Sequence, residues 1–133
     1  MTSEMPHIPN DDAFCSIPVL DAETLEQLIE IDGGELGLTT EMFGLFLADQ
    51  PKRLSLLKGA IESNDITSIM EISHAIKGSA GTMGALRLRS VAAVLEGFGK
   101  GQVIETTPSH LFGCLESAYI EARDALEKHI NKP

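Results

Sequence analysis

One short segment carries residue types that could do chemistry together: Glu71-Ile-Ser-His74-Ala-Ile-Lys77-Gly78-Ser79-Ala-Gly81-Thr-Met-Gly84. On a helix at about 100° per residue, Ile69, Ile72, Ile76, Ala80 and Met83 gather roughly opposite His74, while His74, Lys77, Gly78 and Gly81 share the other face. The apolar stripe marks the buried side, so His74 points outward. An outward imidazole is substantially unprotonated near neutral pH and offers a ring nitrogen as a nucleophile. Lys77, three residues on, sets an ammonium beside whatever that nitrogen acquires. A phosphoryl group, with its negative oxygens, is the load that best suits that cation. Gly78, one turn after His74, leaves the flank of the imidazole bare for another protein to approach. Each glycine inside such a helix costs about 1 kcal/mol relative to alanine, a cost without purpose in a helix that docks nothing. Glu71, one turn before, is placed either to orient the ring or to lie solvated on the surface.

The elements that must position this segment read as consecutive helices. Leu20-Asp21-Ala22-Glu23 opens a short first helix, with Asp21 as its cap, Leu20 stapled onto Leu25, and an end at Asp32-Gly33-Gly34. Thr39 or Thr40 caps a longer second helix whose apolar positions Phe43, Phe46, Leu47, Leu54, Leu57 and Ile61 recur at spacings of three and four. Pro51 interrupts it, and because the period resumes in phase the pattern predicts a kink rather than a stop. Ser63-Asn64-Asp65 turns the chain into the histidine-bearing helix, Ile66 to Met83. A fourth helix with Leu88, Val91, Ala92 and Leu95 on one face ends around Gly97 to Gly101. The fifth starts at Thr107-Pro108 and carries Leu111, Leu115, Ala118, Ala122, Ala125 or Leu126, and Ile130. No alternating β-branched run competes. The expected fold class is all-α, an antiparallel four-helix bundle with a short extra N-terminal helix, in residues 20–133 after a flexible tail at 1–19.

His74-Ala-Ile76-Lys77-Gly78-Ser79-Ala80, with Gly84 following, resembles the signature of histidine-containing phosphotransfer (HPt) domains. That signature has a histidine, an aliphatic residue two on, then Lys-Gly and small residues. Phe-Leu-Ala-Asp-Gln-Pro51 ahead of a leucine-rich half-helix is similar to the family's second helix. The resemblance implies that His74 is phosphorylated by a receiver-domain aspartate and passes the phosphoryl group to another receiver. It implies that Lys77 stabilises the phosphoryl oxygens and that Gly78 makes room for the receiver. The expected partners are response-regulator receiver domains and a hybrid sensor histidine kinase. The expected cofactor of the chain itself is none, the magnesium belonging to the receiver. The chain would be a phosphoryl carrier rather than a classical enzyme, without ATP-dependent kinase activity. Its nearest rival is a helical adaptor whose histidine motif is degenerate and whose surface serves only for docking.

Composition bounds these readings. With 133 residues there is room for one domain. Twenty acidic against ten basic residues give a formal charge of -10, which argues against nucleic acid as the main partner. A hydrophobic content of 43% is too high for a disordered chain. The longest apolar stretch, Met42 to Ala48, is far short of the ~20 residues that span a bilayer, and no secretory signal is visible. Cys15 and Cys114 match no disulfide scaffold or metal spacing, so a reduced, cytoplasmic protein is expected; the expected oligomeric state is a monomer. Gly78-x-x-Gly81-x-x-Gly84 is neither a dinucleotide fingerprint nor a P-loop. Glu71-x-x-His74 matches one unit of a di-iron bundle site, but no second unit exists. His7, His110 and His129 read as incidental. Arg87 and Arg89, which open the fourth helix, are candidates for steering an acidic receiver pocket towards His74.

Overall fold

The structure, a computed structural model, describes residues 14–31, 33 and 37–130. The helices run in order: α1 (Ala22–Ile31), α2 (Gly37–Glu62), α3 (Ile66–Met83), α4 (Leu86–Gly99) and α5 (Pro108–Ile130). No strand occurs among the described residues. The fold is the expected all-α bundle. Helix α4 packs between α3 and α5, and α2 closes the bundle against α3 and α5.

The local chemistry that starts and stops these helices is what fixes the ends of α3. Asp65 Oδ1 accepts a hydrogen bond from the Ser68 amide at 3.2 Å, and Oδ2 accepts one from the Ser68 hydroxyl at 2.8 Å. Those bonds hold the Asp65 carboxyl below its ordinary range. At the other end Gly84 takes φ +70°, a left-handed cap that an L-side chain would strain. A Cβ there would also meet Thr24 Cβ at 3.1 Å and the Asp21 carbonyl at 3.2 Å. Gly84 therefore lets α1 lie against the α3–α4 turn, where the Asp21 amide donates to the Gly84 carbonyl at 2.7 Å. Thr107 caps α5 as expected, its hydroxyl accepting from the His110 amide at 3.1 Å.

The core is the predicted stripe from each helix. Leu25, Leu57, Ile69, Ile76, Ala80, Leu88, Val91, Ala92, Leu95, Leu111, Leu115, Ala122 and Leu126 are each at most 1% exposed. Burial of a side chain of the Leu or Ile class is worth ~1.5–3 kcal/mol. Helix α2 runs unbroken through Pro51.

Two expectations need correction. Helix α2 begins at Gly37, so Thr39 and Thr40 lie inside it, and Thr39 is 1% exposed. The segment before residue 20 is packed: Phe14 is 3% exposed, and Ile17, Val19 and Leu20 lie against the core. The packed chain thus begins at Phe14 at the latest, while the rest of the predicted tail, His7 included, lies outside the described residues. Asp32 and Gly34, predicted to end the first helix, also lie outside them; Gly33 between them takes φ +69°.

Candidate functional site

The face of α3 opposite its buried stripe meets the C-terminal half of α4. His74 projects there with its side chain 69% exposed, and Gly78 is exposed one turn on. The ring does not hang free. Its Nδ1 lies 2.8 Å from Oε2 of Glu96, a residue of α4 whose side chain is only 5% exposed. The other carboxylate oxygen, Oε1, takes the Lys77 ammonium at 2.6 Å. Lys100, one turn beyond Glu96, brings its own ammonium to 3.2 Å from Oε2. One nearly buried carboxylate thus gathers an imidazole and two lysines.

The electrostatics follow from this gathering. The Lys77 ammonium, helped by the His74 ring and Lys100, overcomes the cost of burial and holds the Glu96 carboxyl down at about 2. A group whose pKa is depressed on folding adds stability that is complete above its ordinary value of 4.5 and lost as pH falls towards 2. An ionised carboxylate only accepts hydrogen bonds, so Nδ1 must carry the proton in the Nδ1–Glu96 bond. With the ring neutral, the lone pair is then on Nε2. Two ammonium groups against one carboxylate leave the cluster with a surplus positive charge beside the imidazole, within a chain of net charge -10.

Glycines flank the site for different reasons. A Cβ on Gly78 would meet nothing within 4 Å, so the packing of the chain itself does not demand glycine there. A Cβ on Gly81 would lie 3.4 Å from the Arg89 side chain, which crosses over it from α4. Ser79, on the flank towards α2, accepts a hydrogen bond from Arg53 at 2.7 Å.

The predicted site residues are therefore brought to one surface: His74, Lys77 and Gly78, with Arg89 close by. Two expectations change. Glu96 makes the contact with the ring that Glu71 was considered for, and Glu71 is exposed. Arg87 is not a free steering charge. Its guanidinium donates to the Ile17 carbonyl at 2.8 Å, to the Cys15 carbonyl at 3.1 Å and to both Glu121 oxygens at 3.0 and 3.1 Å. Among the described residues no group of three or more His, Cys, Asp or Glu side chains is placed to hold a metal ion. No helix among them is long and apolar enough to cross a membrane.

Comparison with known proteins decides the family. The sequence model of the Hpt domain matches residues 41–129. The chain belongs to the Hpt domain family. Among solved structures it is similar to histidine-containing phosphotransfer protein B (HptB) from Pseudomonas aeruginosa PAO1. The two superpose with a TM-score of 0.75 at 23% identity, over 87% of this chain and 97% of that one. At that identity the likeness speaks for the fold. No curated protein sequence matches the chain. As an Hpt domain it is a phosphotransfer intermediate of a phosphorelay, a class that works with receiver domains and kinases.

Proposed function

We propose that His74 is the phosphoryl acceptor and that it relays the group from one receiver-domain aspartate to another. The observation that carries this reading is the Glu96 carboxylate at Nδ1, which leaves the lone pair on the outward Nε2. In the forward step Nε2 attacks the phosphorus of an aspartyl phosphate in line. The N–P bond forms as the P–O bond to the aspartate breaks, and the aspartate departs as a carboxylate. The Nδ1 proton stays on the ring against Glu96. A second receiver aspartate then attacks the phosphohistidine by the reverse course, and Nε2 leaves with its lone pair. Such transfer depends on positioning and charge neutralisation more than on acid–base chemistry from this chain.

Lys77 and Lys100 are the cations for the arriving oxygens, since both already stand at the carboxylate beside the ring. Lys100 lies outside the His74 motif, at the end of α4. The magnesium of the reaction belongs to the receiver, and this chain supplies the nucleophile, its orientation and the two ammonium groups. Gly78, where a Cβ would meet nothing within 4 Å, gives the receiver its approach. The adjacent stripe of α2 supports docking there: Leu45 and Leu56, each 64% exposed, flank Asp49 and Lys52 at helical spacing. We place the protein in the cytoplasm as a monomer, in contact with receivers and a hybrid kinase.

Incubation with a phosphorylated receiver tests the proposal. The wild type should gain an acid-labile, base-stable label, and His74→Ala should gain none. An unlabelled wild type, or label persisting in His74→Ala, would leave the docking-only adaptor as the better reading.

A further inference from the structure

Helices α3 and α4 approach each other closely one turn away from the site. A Cβ on Gly99 would fall 2.7 Å from the Met70 Cβ and 2.8 Å from the Met70 Cα and amide nitrogen. These atoms belong to the backbone or its first side-chain carbon, so no rotamer change moves them aside. Met70 lies one turn before His74, and Gly99 lies one turn after Glu96. The contact and the His74–Glu96 hydrogen bond are therefore neighbouring rungs of one helix pair. A glutamate side chain is short. To touch Nδ1 at 2.8 Å and Lys77 at 2.6 Å at once, its helix must stand close to α3.

We infer that Gly99 is a positioning residue of the phosphoacceptor site, its missing side chain setting the α3–α4 separation at which the Glu96 carboxylate reaches both His74 and Lys77. Alanine at 99 must push the helices apart by several tenths of an ångström before ordinary contact is restored. The imidazole, losing its fixed acceptor, then distributes its proton over both ring nitrogens. Helix propensity does not call for glycine there, because alanine is the better helix former. Glycine at 99 is thus set by the crossing, not by α4 itself. Gly97 is the internal contrast. A Cβ there would meet mainly the far end of the Gln102 side chain, which can swing away into solvent.

The role of the fixed tautomer rests on the reading of His74 as acceptor, so the test has one arm that needs no phosphoryl chemistry. The full chain, labelled with ¹⁵N-histidine, is compared as wild type, Gly99→Ala and Gly97→Ala. Long-range ¹H–¹⁵N spectra report the His74 tautomer, and transfer from a phosphorylated receiver reports rate. The wild type and Gly97→Ala should show the Nδ1–H form and rates within about twofold of each other. Gly99→Ala should show mixed tautomers and a rate lower on the order of tenfold, as expected for a sub-ångström misplacement. A folded Gly99→Ala with the wild-type tautomer and rate overturns the inference. If Gly99→Ala does not fold, Met70→Val, which branches the Cβ that Gly99 faces, is the milder wedge. It must shift the tautomer in the same direction, and a wild-type spectrum overturns the inference. A tautomer shift with no label on any protein, wild type included, supports the positioning role and removes only the relay reading.

Discussion

Helix α4 carries a polar cluster at each end, and the two are built to opposite purposes. At its start Arg87 spends its donors on two backbone carbonyls and the Glu121 carboxylate, with its side chain only 17% exposed. The Arg87 charge is matched and the result is a tie: the Phe14 to Ile17 segment is fastened to the bundle. At its end Glu96 is the buried member, and three donors from His74, Lys77 and Lys100 converge on it. There the cations exceed the anion, and the imidazole faces solvent. A satisfied cluster holds the fold, while an unbalanced one with an exposed nucleophile awaits a negative group.

Breaking each cluster should separate the two purposes. The largest effect is expected from Glu96→Ala, which frees the ring and scatters both lysines. Transfer should slow on the order of 100-fold, read by stopped phosphorylation time courses, while circular dichroism still reports a helical bundle. Arg87→Ala should do the reverse. Loss of its charged hydrogen bonds lowers stability by about 2 kcal/mol, measured by urea unfolding, with the transfer rate unchanged. A slowed transfer in Arg87→Ala at full folding would blur the contrast between the two ends. The smallest effect belongs to Arg89, which is exposed and crosses Gly81 on the site's face. Arg89→Ala should slow transfer by about twofold at low salt and not at all at high salt, since screening removes long-range steering.

The two ends also differ in how far they could be read in advance. The exposure of His74, the span of α3 and the shared face of Lys77 and Gly78 all follow from the period of isoleucines and alanines, a local property. Glu96 is hard to single out because the apolar members of α4 dominate its period. Counting four on from Ala92 lands on Glu96, so its burial was legible; its partner was not, because the pairing spans two helices. Arg87 illustrates the same limit from the other side. Its charge is visible in the sequence, but its partners lie 70 and 34 residues away, and no spacing rule reaches that far. The packing of Phe14 was masked by Pro6, Pro9 and the Asn10-Asp11-Asp12 run just before it, which read as a loose tail. Gly99 looked like part of a helix end, since only the crossing with Met70 gives it a reason.

The central claim is that Glu96 fixes the proton on Nδ1 and so makes Nε2 the accepting atom. ³¹P–¹⁵N correlation on the freshly phosphorylated, ¹⁵N-histidine-labelled protein tests it most directly. The account predicts a phosphoryl group bonded to Nε2 of His74, with Nδ1 still protonated against Glu96. Phosphorus bonded to Nδ1, or to any other histidine, would contradict it.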